Sequence, residues 1–321
     1  MKNRPFKQVD VFTATPYLGN PLAVVLDGTD LSTEEMQHFA HWTNLSESTF
    51  VLPPSVEGAA AGADYRVRIF TPGAELPFAG HPTLGSCHAW LEAGGTPRAS
   101  GAAGGAPKAK VEIVQECAVG LVRIRRDGTR LAFAAPTLKR SDPSPVLLAK
   151  VATALGLKAH QIIAAQMLDN GPVWLGLLLD SPQTVLQLTP DHLALKNLRQ
   201  KVGVASVETA QAATILIARS NREARAFGAR ATEPAAAADT TEVEVRAFAA
   251  PVGVNEDPVT GSFNASLAQW LIADGHAPSA YVASQGACLG RAGRVHIERD
   301  ATGQVWVGGD CVTCIDGRVS L

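Results

Sequence analysis

The sequence predicts an α+β protein made of two similar halves. A loop with the frame x-Pro-x-x-Gly-Ser occurs twice, as His81-Pro82-Thr83-Leu84-Gly85-Ser86 and as Asp257-Pro258-Val259-Thr260-Gly261-Ser262. Each copy follows an apolar Arg-x-Phe segment, Arg68-Ile69-Phe70 and Arg246-Ala247-Phe248. Each then runs into a helical stretch ending in Trp-Leu, at Trp90-Leu91 and Trp270-Leu271. Strand, Pro/Gly-rich loop and helix thus recur in both halves, the mark of an internal duplication whose loops could face each other. The 321 residues are enough for two domains of ordinary size.

The loops suit ligand binding. Proline fixes its own φ and bars the residue before it from the α region, which predicts extended backbone at His81 and Asp257. Gly-Ser ahead of an apolar helix predicts an N-cap hydroxyl at Ser86 and Ser262, with free N–H groups pointing outward. Such a helix start attracts anions, for example a carboxylate. One loop alone would read as an ordinary capped helix. Two matched loops, one carrying His and the other Asp, point to a shared site.

In chain order, Gln8–Thr13 alternates like a half-buried strand, and Gly19-Asn20-Pro21 opens a second strand at Leu22–Leu26. Ser32-Thr33-Glu34-Glu35 has the form of a capping box and starts a helix to about Trp42. Asn44-Leu45-Ser46-Glu47 enters a strand, where Glu47 alone reads as an exposed edge carboxylate. Tyr65–Phe70 is an alternating strand, and residues 94–109, rich in Gly and Ala, read as a surface insertion. Strands are expected at Val111–Val114, Leu121–Arg125 and Leu131–Ala135, followed by a proline-rich boundary at Pro136–Pro145.

The second half opens with a helix at Val146–Leu155, ended by Gly156, and Asn170-Gly171-Pro172 echoes Gly19-Asn20-Pro21 before the strand Val173–Leu179. A helix over Pro190–Gln200, a strand over Ala213–Ala218 and an Ala-rich surface segment over Glu233–Thr241 follow. Val243–Phe248 feeds the second loop and Asn264–Ala273 is its helix. Strands at Arg294–Glu298, Val305–Val307 and Cys311–Ile315 close the chain.

Composition excludes several classes. A hydrophobic content of 46% with 18% charged residues describes a globular chain. A formal net charge of −2 leaves no electrostatic footprint for nucleic acid or an anionic membrane. No apolar run is long enough to span a bilayer, and the N-terminus does not read as a signal sequence. Five cysteines fit a reducing cytoplasm better than a disulfide framework. Cys311-Val312-Thr313-Cys314 has metal-type spacing but lacks a second pair, so it reads as strand packing. Gly308-Gly309 is a turn and not a dinucleotide fingerprint. The expectation is therefore no metal and no cofactor.

Taken together and in order, Val9-Asp10-Val11-Phe12, Gly19-Asn20-Pro21, Asn44-Leu45-Ser46-Glu47, Phe78-Ala79-Gly80-His81-Pro82-Thr83-Leu84-Gly85, Glu256-Asp257-Pro258-Val259-Thr260-Gly261-Ser262, Gln285-Gly286 and Gly290-Arg291 resemble the PhzF-like (phenazine-biosynthesis) family. That family shares the diaminopimelate-epimerase fold. The resemblance implies two pseudo-symmetric domains, each a β-barrel-like sheet wrapped around a central helix, with the site between them. The expected division is residues 1–138 and 139–304, with a last strand at about 305–321 returning to the first domain.

By the same resemblance Glu47 is the acid/base, with His81 and Asp257 as further catalytic groups around the substrate. Gly80 and Gly261 would supply backbone donors, and Ser46 and Ser262 hydroxyls. Neither facing loop carries a cysteine, which disfavours the two-thiol chemistry of the epimerase relatives. The expected function is a cofactor-independent isomerase, a cytoplasmic homodimer moving a proton at carbon of a small carboxylate-bearing metabolite. An amino-acid epimerase or racemase, and a non-catalytic ligand-binding protein on the same fold, are the alternatives.

Overall fold

The computed structural model describes residues 1–98, 111–208 and 243–321. The expected strand at Ala213–Ala218 and the Ala-rich segment at Glu233–Thr241 lie outside the described residues, as does most of the 94–109 insertion.

The first half carries β1 (Asn3–Val11), β2 (Asn20–Val25), β3 (Ser48–Leu52), β4 (Tyr65–Phe70), β5 (Glu75–Leu76), β6 (Val111–Cys117), β7 (Gly120–Asp127) and β8 (Arg130–Ala134). β1 runs antiparallel to β2, β2 parallel to β3, β3 antiparallel to β4 and β4 parallel to β6. Antiparallel pairs β6–β7 and β7–β8 follow. The second half carries β9 (Lys139–Ser141), β10 (Ile162–Asp169), β11 (Val173–Leu179), β12 (Lys201–Val207), β13 (Val243–Ala249), β14 (Val254–Asp257), β15 (Ala280–Gln285), β16 (Gly293–Arg299), β17 (Val305–Gly309) and β18 (Cys311–Ser320). From β10 to β17 the pairing repeats the same sequence of directions: antiparallel, parallel, antiparallel, parallel, then two antiparallel pairs.

With β9 counted as the last strand of the first repeat and β18 as that of the second, the repeats exchange their last strands. β9 follows β8 in the chain but lies on β10, and β18 follows β17 but lies on β1. β17 also pairs with β8, so the two sheets are continuous. Further backbone bonds cross at Ala292 N–Leu18 O and Arg294 N–Phe12 O.

The α-helices among the described residues are α1 (Thr33–Thr43), α2 (Val56–Ala60), α3 (Gly80–Glu92), α4 (Pro145–Leu155), α5 (Pro182–Gln187), α6 (His192–Leu198) and α7 (Gly261–Ala273). α3 and α7 are the two central helices, buried on nearly every face, as expected of helices enclosed by sheet. They belong to one core that joins both halves, including Leu84, Cys87, Phe133, Phe263, Trp270 and Val307. Outside the sheets, α1 packs Met36 and Phe39 on β2 and β3, and α4 and α6 cover β11 to β13. α1 is held by the expected capping box, with Ser32 and Glu35 exchanging backbone N–H bonds. Among the described residues no helix is long and apolar enough to cross a membrane.

Two local expectations are corrected. Ser86 and Ser262 do not cap helices, because α3 starts at Gly80 and α7 at Gly261. Ser86 lies inside α3, donating to Thr49 Oγ1 at 2.8 Å, and Ser262 is the second residue of α7. His81 is likewise helical and not extended. Pro82 falls in the first turn, where its missing N–H costs nothing, so here it does not mark the stretch before a helix.

The central helices press so closely on the sheet that some contacts admit no side chain. A Cβ on Gly203 of β12 would overlap the Phe263 ring of α7, and one on Gly85 of α3 would stand 2.6 Å from Leu22. Gly203→Val should therefore lower the unfolding free energy by about 1–3 kcal/mol through overpacking, read as a fall in denaturation midpoint with an unchanged slope. A midpoint equal to wild type would contradict this packing.

Candidate active site

The N-termini of α3 and α7 abut. A Cβ built on Gly261 would lie 3.0 Å from Gly80 Cα and 3.0 Å from His81 N. Only glycine allows the two backbones this approach. The cap residues, Ala79 and Thr260, offer no side-chain cap to either helix, so both ends keep unsatisfied N–H groups beside one space.

Around this junction the structure gathers Ser46, Glu47, Gly80, His81, Asp257, Gly261 and Ser262, but not Ser86, which bonds Thr49 inside α3. His81 is the second residue of α3 and Ser262 the second of α7. Asp257 ends β14, and Glu47 directly precedes β3. Glu47 Oε2 and His81 Nδ1 are 3.4 Å apart, with side chains 17% and 4% exposed. The two groups are close but not aligned as a hydrogen bond, and Glu47 Oε2 and His81 Nε2 are buried without a hydrogen-bond partner. Ser46 sits beside Glu47 and directs its hydroxyl to Asn20 Oδ1 at 3.3 Å.

Burial sets the protonation of this cluster. Loss of solvent pushes Glu47 up to about 7, only partly offset by the Ser46 hydroxyl and the Lys201 charge. Desolvation and the Glu47 charge push Asp257 up to about 6, against the pull of His81, Thr260 and Asn20. Burial drives His81 the other way, down to about 4, so its ring is neutral near pH 7.

Several residues of the cluster were not marked as site residues by their sequence. Asn20, on β2 of the first half, donates at 2.9 Å to both Asp257 Oδ1 and the Val259 carbonyl. Thr260 donates to Asp257 Oδ2 at 2.6 Å. Gln285 accepts from Thr260 N and Asn264 Nδ2 and donates to the Asp257 carbonyl, locking the second loop. On the opposite wall Trp174 Nε1 donates to Ser262 Oγ at 3.3 Å, and Lys201 Nζ lies 5.7 Å from the centre of that indole.

A signal for Lys201 was present. Asn197-Leu198-Arg199-Gln200-Lys201-Val202-Gly203-Val204 echoes Asn44-Leu45-Ser46-Glu47-Ser48-Thr49-Phe50-Val51. Ser48 opens β3 against β2 just as Lys201 opens β12 against β11, so Gln200 stands where the first half has Glu47. Among the described residues no group of His, Cys, Asp and Glu could hold a metal ion.

Comparison with known proteins agrees with this architecture. Residues 9–317 match the profile of the PhzC–PhzF family, described as phenazine biosynthesis-like protein. The chain is 34% identical to antisense-enhancing sequence 1 of Schizosaccharomyces pombe, covering 99% of both chains. It is 32% identical to a trans-2,3-dihydro-3-hydroxyanthranilate isomerase of Pseudomonas aeruginosa, over 98% of both chains. The crystal structure of a PhzF-family phenazine biosynthesis protein from Bacillus anthracis superposes with a TM-score of 0.75, at 21% identity and full coverage of both chains.

The raised proton affinity of Glu47 has a stability consequence. A carboxyl group with a folded pKa above its unfolded value stabilises the fold fully below about pH 4.5, and that stabilisation is lost as pH rises through about 7. Glu47→Gln removes the loss, so the variant should be more stable than wild type at pH 8, on the order of 2 kcal/mol, and the gain should shrink toward pH 5. Thermal melts across that range test it. Parallel stability curves for the two proteins would mean that Glu47 is not a desolvated acid.

Proposed function

The chain belongs to the PhzC–PhzF family of phenazine biosynthesis-like proteins, and from that premise we propose that it is an isomerase acting without a cofactor. It moves a proton between carbons of a small, unsaturated or amino-acid-like carboxylate held at the junction of α3 and α7. The 32% identity to a hydroxyanthranilate isomerase favours this substrate class. The observation that carries the reading is Glu47, partly buried beside neutral His81, with one carboxylate oxygen buried and unpartnered and a proton affinity raised to about 7. A base matched to neutral pH takes and returns a proton with little penalty in either direction.

The chemistry follows from the parts. Ionised Glu47 removes the proton from carbon, and the electron pair spreads into the adjacent unsaturated or carboxylate system. The unsatisfied N–H groups at the starts of α3 and α7, at Gly80 and Gly261, meet the charge that develops there. The protonated Glu47 then delivers its proton to a second carbon of the same system. His81 and Asp257, with the Ser46 and Ser262 hydroxyls, hold the substrate and its protonation state. A thiol base is disfavoured because Cys87, in α3, is fully buried and its thiol is pushed up to about 12.

Glu47→Gln keeps the size of the side chain but removes the base. Turnover should fall by roughly 10²–10⁴-fold while the dissociation constant for substrate changes little. Deuterium from solvent should enter the product with the wild-type enzyme and not with the variant. Wild-type kcat/KM should rise with pH through about 7 as Glu47 ionises. Near wild-type turnover in Glu47→Gln would move the base to Asp257.

A further inference from the structure

Lys201 is a partly buried cation in the cleft that the proposed proton transfer does not use. It is the first residue of β12, paired across the parallel ladder with Trp174, the second residue of β11. Its ammonium rests 5.7 Å from the centre of the Trp174 ring, which fixes it by a cation–π contact. The same indole donates to Ser262 Oγ at 3.3 Å. An indole N–H can only donate, so Ser262 accepts there and its own hydroxyl proton stays available. Lys201, Trp174 and Ser262 therefore form one wall, beside the start of α7.

The two acids of the site lie near enough for their charges to act on Lys201. Neither is its ion-pair partner: Glu47 makes its close contact with His81, and Asp257 bonds Asn20 and Thr260. Burying a cation is costly unless an anion meets it. The cleft thus has two separate attractions for negative charge. One is the pair of open helix starts at Gly80 and Gly261; the other is the Lys201 ammonium.

We propose that Lys201, set on Trp174, binds a second anionic group of the substrate, so that the enzyme prefers molecules with two carboxylates over those with one. The inference rests on the reading of the cleft as the substrate site, and it deepens that reading by naming the substrate class. A compact ammonium suits a carboxylate that approaches from one side, and the aromatic wall beneath limits its movement.

Equilibrium binding tests this without turnover. Glutarate and pentanoate have the same chain length but two and one carboxylates, and each can be titrated into the protein by calorimetry at pH 7.5 and low salt. Wild type should bind glutarate roughly 10- to 100-fold more tightly than pentanoate, the usual effect of a charged hydrogen bond. Lys201→Met should erase the difference by weakening glutarate alone, and Lys201→Arg should keep most of it. Absence of a glutarate preference in wild type would overturn the proposal, as would an undiminished preference in Lys201→Met. Equal weakening of both ligands in Lys201→Met and Lys201→Arg would also overturn it, because that is the mark of a merely structural lysine. A Lys201→Met enzyme that keeps the preference but shifts its pH–rate profile would show that the lysine only tunes Glu47. Failure of the Glu47 reading appears separately, as undiminished turnover in Glu47→Gln with the glutarate preference intact.

Discussion

The contact between Gly80 and Gly261 is the constraint on which the rest of the molecule depends. Two helices brought together at their N-termini oppose like ends of their dipoles and leave both sets of first-turn N–H groups open. Left alone, that arrangement is unfavourable. Negative charge placed at the junction reverses the sign, and both Glu47 and Asp257 are held beside it. The same burial that makes these acids hard to ionise makes the junction attractive to an anionic substrate. The glycines and the open caps are thus consequences of one close approach, while burial holds the neighbouring carboxyl groups up.

Holding two helix ends in contact requires that the halves not drift apart. The exchanged strands β9 and β18 tie each half to the first strand of the other, and β17 bridges the sheets. Nearer the site, Asn20 of the first half bonds Asp257 and Val259 of the second. The position of Asp257 is accordingly set from both sides. The buried Arg246–Glu256 ion pair, one residue before Asp257, adds a further anchor, with Arg246 also capping the Val185 and Leu188 carbonyls at the end of α5. A loop so fastened presents the Asp257 carboxylate at a fixed angle.

Much of this was legible in the residues, because duplication leaves its trace in flanking patterns. The Arg-x-Phe strands fall on β4 and β13, which have the same place in the two sheets. The register of the repeat was not legible. The shared Pro-x-x-Gly-Ser frame aligns Gly85 with Gly261, whereas the fold matches Gly80 with Gly261. Proline is compatible with the first turn of a helix as well as with the loop before it, so Pro82 and Pro258 do different work with the same neighbours. The strand exchange was not readable from the pattern itself, because alternation marks a strand but not its partner; a returning last strand was an expectation of the family resemblance alone. Glu47 was locally unremarkable because its close partner, His81, is distant in sequence and meets it only in the fold.

The departures from symmetry at the site are what bear on its chemistry. Corresponding positions carry His81 and Ser262 at the second residue of each central helix, and Glu47 and Gln200 before the matching strands. Inverting a carbon centre calls for an acid and a base of comparable strength on its two faces. At the matched strand entries one half carries an ionisable Glu and the other an amide, while the second half brings its own carboxyl group, Asp257, raised to about 6. Duplication gave the site two matched walls that have since diverged, with Lys201 and Trp174 on one and Glu47 and His81 on the other; under the roles proposed above, the first half moves the proton and the second reads charge.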